Sequence, residues 1–307
     1  MTTRFLAHHA AVLSLVVFAS TQVAAQSLST AGQGESGPRT PWGDPDLQGT
    51  WTNSTTTPME RPDDLADREI LTEEEWAVRN PGSGISAFEL SSSMPTGAYN
   101  DFWLEKGELS LRTSLIVDPP NGKYPPLTPE AVRRRGELRT SFRQSGFDSW
   151  TDLSMYDRCL TRGMPGAMSP GFYNHNYQIL QTPDHVAIVV EMIHDARIIP
   201  LDGRTHVSPA VGQWLGDSRG RWEGDTLVVE TRNLPASGRV VEERFTRVDA
   251  DTIDYRITVT DPDEWAAPWT ALMPMSPTGG PLFEYACHEG NHSVPNMLAG
   301  SRAEEAQ

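Results

Sequence analysis

Trp222-Glu-Gly-Asp-Thr-Leu-Val-Val-Glu-Thr231, then Arg239-Val-Val-Glu-Glu-Arg-Phe-Thr-Arg-Val248, Asp249-Ala-Asp251 and Thr252-Ile-Asp-Tyr-Arg-Ile-Thr-Val-Thr260, are the stretches that decide the fold class. β-branched and aromatic residues alternate with polar ones at period two, and Gly224-Asp225 and Asp249–Asp251 sit where hairpin turns are needed. Working outward, Asn176 to Gln181 and His185 to Ile199 read as strands, with Pro183-Asp184 between them and Asp202-Gly203 after the second. Leu47 to Asn53, Ser110 to Val117 and Pro281 to Cys287 supply further strands. The expectation is a mainly β protein, an antiparallel meander forming a lipocalin-like barrel or a sandwich. Two or three short helices lie at its periphery. One starts at Thr72 with a capping box to Glu75; another runs from Thr128-Pro129 to Arg143 and stops at Ser145-Gly146. The basic cluster Arg133, Arg134 and Arg135 reads as a solvated face of that helix. No internal repeat is present.

Residues 1–25 have the organisation of a cleavable export signal: Arg4, an apolar run from Leu13 to Ala19, and Val23-Ala24-Ala25 before Gln26. The apolar run is shorter than the roughly 20 residues a membrane-spanning helix needs, and no later stretch reaches that length. Residues 26–40 are small and polar and read as a flexible leader, so 41–307 is expected to be a single β-rich domain. The expected location is the periplasm or the exterior of a bacterium after cleavage near Ala25.

The chain carries 25 Lys and Arg against 41 Asp and Glu, a net charge of −16. That field disfavours nucleic acid and anionic membrane surfaces as partners. Cys159 and Cys287 are the only cysteines and both fall in the exported part, where a disulfide persists. The competing reading is a catalytic thiol at Cys287, activated by the adjacent His288.

Candidate chemistry begins with the 185–199 strand. Treated as continuous, it places Ile188, Val190, Met192, His194, Ala196 and Ile198 on one face and Val189, Glu191, Ile193, Asp195, Arg197 and Ile199 on the other. His194 then stands alone on an apolar face, either as a hydrogen-bonded core histidine or as a proton-transfer group in a cavity. Glu191, Asp195 and Arg197 form a charged row that is either solvated or lines a semi-polar lumen. Tyr173-Asn-His-Asn-Tyr177 leads into the neighbouring strand; Asn174, His175 and Asn176 are ligand hydrogen-bonding candidates and Tyr177 a donor. Trp222 and the other tryptophans, Trp103 among them, suit either a pocket for a sugar or an aromatic ligand, or core packing.

His288-Glu-Gly-Asn-His292 matches the H-E-x-x-H pattern of zinc proteases, a chemistry that requires a helix to converge both imidazoles on the metal. A strand before it, Gly290 inside it and Pro295 after it oppose that helix, and Glu304 and Glu305 lie in an expected tail. A different metal site using His288, His194 or His175 is a minor alternative. No Walker A loop or G-x-S-x-G elbow is present, and no cofactor is expected.

Four strings, Pro41-Trp-Gly-Asp-Pro-Asp-Leu-Gln-Gly-Thr-Trp51, Glu191-Met-Ile-His-Asp-Ala-Arg-Ile-Ile-Pro200, Gly216-Asp-Ser-Arg-Gly-Arg-Trp-Glu-Gly-Asp225 and Glu284-Tyr-Ala-Cys-His-Glu-Gly-Asn291, resemble an uncharacterised family of secreted bacterial proteins. The resemblance spans most of the chain after residue 25 and implies a periplasmic or extracellular protein. It brings no reaction, and the position of His292 is often aromatic in that family. The residues themselves point to an exported small-molecule-binding β protein acting as a metal-independent acid–base enzyme, a lyase, isomerase or hydrolase. His194 would transfer the proton, Tyr177 would donate, Arg197 would hold an anion, and Glu191 or Asp195 would orient the histidine. The alternative is a non-catalytic periplasmic binding or scaffold protein.

Overall fold

The computed structural model describes residues 37–80, 105, 107–171, 173–235 and 237–306. The expected signal, most of the expected leader and Trp103 lie outside them. Residues 37–40, the end of that leader, are tied in: Arg39 bridges Pro45 and ion-pairs with Asp225, and Asp46 N–H donates to the Pro38 carbonyl at 2.8 Å.

Antiparallel strands build two sheets. β1 (Gly49–Thr52), β3 (Asn176–Gln181), β4 (His185–Val190), β5 (Ala196–Pro200) and β11 (Ser276–Pro277) form a five-stranded sheet in the order β11-β1-β3-β4-β5. β2 (Ile116–Asp118), β6 (Asp217–Glu223), β7 (Thr226–Arg232), β8 (Val240–Arg247), β9 (Ile253–Thr260) and β10 (Trp269–Leu272) form a six-stranded sheet in the order β2-β10-β9-β8-β7-β6. The β6–β7 hairpin turns at Gly224-Asp225 and the β8–β9 hairpin at Asp249–Thr252, where the turn chemistry stood. Both sheets feed one core: Tyr177, Ile179, Ile188 and Ile199 from the first pack with Leu227, Val241, Phe245, Tyr255 and Ile257 from the second. Among the described residues no ladder closes the sheets into a barrel, so the architecture is two sheets around a shared core.

Sequence period accounts for the inward faces. In β3, Tyr177, Ile179 and Gln181 point in; in β4, Val186, Ile188 and Val190 do, and the register sets Tyr177 opposite Val190 and Ile179 opposite Ile188. The alternation expected to run on to Ile199 does not. Residues 191–195 reverse the chain through a single turn in which Ile193 and His194 take φ of 61° and 44°, closed by Val190 N–H to the Asp195 carbonyl at 2.8 Å. Non-glycine residues in this left-handed region are rare, which is why no turn signal marks the site. β5 therefore pairs back on β4 with Ile188 opposite Arg197, and Arg197 and Ile199 face the core while Ala196 and Ile198 face out.

Three helices flank the sheets. α1 (Glu73–Arg79) carries the Thr72–Glu75 capping box, and α2 (Pro129–Ser145) starts with Thr128 capping Ala131 N–H. α2's arginines do more than face solvent: Arg134 and Arg135 both pair with Glu264, and Arg135 lies over the Trp265 ring. α3 (Ser293–Glu305) occupies the expected C-terminal tail. Its Ser301 hydroxyl accepts from Phe147 N–H at 2.8 Å, seated over Gly146, where any Cβ would meet that oxygen. No helix among the described residues is long and apolar enough to cross a membrane.

Pro281 to Cys287, expected as a strand, pairs with no strand among the described residues. Its backbone is held by side chains instead: Phe283 N–H donates to Glu191 Oε1 at 2.9 Å, and the Tyr285 carbonyl meets His194 Nδ1 at 3.0 Å. A disulfide between Cys159 and Cys287, 128 residues apart in sequence, pins the far end. Cys287 is therefore no free thiol.

Candidate functional site

Between the start of β3, the 191–195 turn and the disulfide-tethered segment lies a cleft of about 900 Å³. Its walls are built from Tyr156, Asp157 and Tyr173 and from Phe283 to Cys287, continuing through Glu289 to the start of α3. The disulfide builds this cleft, because it holds the loop carrying Tyr156 against the segment carrying Tyr285. Asn291 Nδ2 reinforces it by donating to the Asp157 carbonyl at 3.3 Å.

Two carboxylates from remote parts of the chain meet at the floor. Asn176 Nδ2 donates to Glu105 Oε1 at 3.1 Å and to Glu191 Oε2 at 2.7 Å. Glu105 also accepts from His175 N–H at 3.1 Å and from the Ser54 hydroxyl at 2.8 Å. Burial, and to a smaller degree the charge of Glu191, push the Glu105 carboxyl above the usual range, against these donors. Tyr156 and Tyr173 share a hydroxyl–hydroxyl hydrogen bond of 2.6 Å at the wall.

Of the residues singled out from sequence, Asn174, Asn176 and Glu191 line this cleft. His175 lies beside it but is 2% exposed, its ring lodged against Gly171 and accepting at Nε2 from Arg162. Burial and the Arg162 guanidinium hold it down at about 3, so it is a neutral acceptor. Tyr177 is fully buried in the core with its hydroxyl on Asn53 Oδ1 at 3.3 Å; burial pushes the phenol up.

His194 corrects the sequence expectation: it stands exposed outside the cleft walls, not on an apolar inner face, because it lies within the turn that reverses the chain. Arg197 and Asp195 both border a smaller cavity of about 270 Å³ but have different partners: Arg197 is buried between the sheets in a two-pronged ion pair with Glu243, whereas Asp195 accepts from the Thr161 hydroxyl at 3.3 Å. Burial raises the Asp195 carboxyl. Of the five residues expected to act together, Glu191 alone lines the larger cleft, Asp195 and Arg197 border the smaller cavity, and Tyr177 and His194 line neither. Trp222 lies half-buried on β6, in the other sheet.

His288 is exposed in the turn before α3, and Gly290 (φ 70°) breaks the run so that α3 begins only at Ser293. The H-E-x-x-H segment therefore has no helical face. Among the described residues no group of three His, Cys, Asp or Glu side chains is arranged to hold a metal ion.

Glu105, Tyr156, Tyr173 and Tyr285 were not singled out as ligands by sequence. The strand start at 173–177 pointed to the region, but nothing local to Glu105 marks it as the partner of Glu191.

No protein-family model and no curated protein matches the chain. Among solved structures it is similar to a secretary abundant heat soluble (SAHS) protein from Ramazzottius varieornatus, with 16% identity and a TM-score of 0.26, covering 37% of this chain and 78% of that one.

Proposed function

We propose that the chain is an exported small-molecule-binding protein that acts as an acid–base enzyme of the lyase, isomerase or hydrolase class in the cleft beside the disulfide. The observation that carries this reading is the meeting of Glu105 and Glu191 on one amide at the floor of a 900 Å³ cleft. A volume of that size suits a small organic ligand. Glu105, desolvated and next to a second carboxylate, holds a proton more readily than an exposed glutamate and takes the proton-transfer role assigned from sequence to His194. The Tyr156–Tyr173 hydroxyl pair is the hydrogen-bond donor and acceptor at the wall. Export rests on the residue 1–25 pattern and agrees with the disulfide. Intact mass of the secreted product should start at Gln26; a soluble product retaining residues 1–25 refutes export.

The alternative, a binding protein without chemistry, draws on Glu191, whose two oxygens are both taken by N–H donors. Both readings are tested by screening small metabolites, sugars and aromatic compounds against the mature protein and following binding and turnover separately. Acid–base catalysis predicts that Glu105→Gln folds and still binds while turnover falls about 10² to 10⁴-fold. Unchanged turnover in that variant removes Glu105 from any mechanism. Ligands that bind and are recovered unaltered decide for the binding protein.

A further inference from the structure

Charge is distributed unevenly among the cavities. The depression of about 830 Å³ at the start of α2 is lined by acids and arginines that neutralise one another, Arg134 with Glu264 and Arg239 with Asp261. The cleft beside the disulfide is lined by Glu105, Asp157, Glu191, Glu284 and Glu289, and none of its described lining residues is a lysine or arginine. Among the described residues none of these five carboxylates forms an ion pair.

Four aromatic rings share the same walls: Tyr156, Tyr173, Phe283 and Tyr285. Phe283 is 69% exposed at the rim, where an apolar ring gains nothing from water. Aromatic faces attract cations through their quadrupole, and the protein already uses this at the wall, where the Arg162 guanidinium lies 5.4 Å from the centre of the Tyr156 ring. Rings combined with unneutralised carboxylates form a surface that favours a positive head on an apolar body and repels an anion.

Accepting the cleft as the ligand site, we propose that its ligand is an organic cation, a protonated or quaternary amine carrying an apolar or aromatic body. The ammonium group sits over the Glu105–Glu191 floor and the body lies against the Tyr and Phe rings. The excess of acids that keeps the chain anionic is, at this place, a recognition element.

The test uses three probes with the same phenylethyl-sized body: 2-phenylethylamine as the cation, 2-phenylethanol as the neutral analogue and phenylacetate as the anion. Binding to the mature, oxidised protein is measured by calorimetry at low and high salt. The amine should bind about tenfold or more tightly than the alcohol, phenylacetate should not bind, and added salt should weaken the amine. In the exposed Glu284→Gln/Glu289→Gln double variant, whose melting temperature should match the parent, affinity for the amine should fall about three- to tenfold while any affinity for the alcohol stays fixed. Equal binding of amine and alcohol overturns the cation inference and leaves the cleft as a small-molecule site. Amine binding that the double variant does not weaken overturns it by location. Failure of all three probes to bind at millimolar concentration rejects the cleft as the site and the inference with it.

Discussion

Replacing Glu243 tests how the two sheets are joined. Arg197 of β5 reaches across the core to Glu243 of β8, with Nη1 to Oε1 at 2.8 Å and Nη2 to Oε2, both side chains being at most 1% exposed. Tyr255 donates its hydroxyl to Glu243 Oε1 at 2.9 Å, and Ser218 and Thr231 lie 3.4 and 3.3 Å from Arg197 Nη2. Arg197 Nε has no hydrogen-bond partner among the described residues. Glu243→Leu would leave a guanidinium buried without its counter-charge, at a cost of about 3 to 5 kcal/mol, and the stranded Tyr255 hydroxyl adds about 1 kcal/mol. Arg197→Met leaves a carboxylate still holding the Tyr255 hydroxyl, so its cost falls at the lower end of the same range of about 3 to 5 kcal/mol. With both replaced no charge is stranded, and the double variant should lie within about 2 kcal/mol of the parent. The coupling is then about 3 kcal/mol or more, measurable from urea unfolding followed by tryptophan fluorescence. Either single change removes a large part of a total stability of about 5 to 15 kcal/mol. Additive costs, with coupling below about 1 kcal/mol, would refute the view that the pair acts as one buried unit locking one sheet to the other.

Three further outcomes follow from the same geometry. His175, held at about 3 by burial and Arg162, stays neutral in the fold while an unfolded histidine protonates below about pH 6.5, so its stabilisation is fully present above that pH and is lost at up to roughly 1.4 kcal/mol per unit as pH falls toward 3; His175→Gln should flatten that slope in pH-dependent melts, and an unchanged slope counts against a neutral buried ring. Cys159→Ser/Cys287→Ser opens a loop of 128 residues and should lower stability by about 4 to 5 kcal/mol on loop-closure entropy, and it should abolish cleft binding in calorimetry; retained binding would show that the segment holds its place without the bridge. His194→Gln, at an exposed site whose ring Nδ1–H donates one bond to the Tyr285 carbonyl, should shift the unfolding midpoint by less than about 1 kcal/mol equivalent, whereas a loss above about 2 would return it to a core role.

Strands of regular period with glycine- or aspartate-bearing turns were legible from residues alone. β3, β7 to β9 and the caps of α1 and α2 stand where alternation and turn chemistry put them, because neighbouring residues determine pleat and cap geometry. The cysteine pair was legible too, since two cysteines behind an export-like leader were expected to pair. The turn at 191–195 was not. Its left-handed residues are isoleucine and histidine, which local preference argues against, and β4–β5 pairing, the Val190 to Asp195 backbone bond, the burial of Ile193 and the His194 contact with the Tyr285 carbonyl hold them there. That one reversal moved Arg197 into the core and His194 out of it. The 281–287 segment had strand composition but found carboxylate, imidazole and disulfide partners in place of a ladder. Sequence by itself thus determined the strands, the caps and the acidity of the chain, all set by residues near one another. Only tertiary structure decided that Glu105, Asn176, Glu191 and Tyr285 share one cleft, because contacts between segments far apart in sequence depend on how the sheets and the disulfide bring them together.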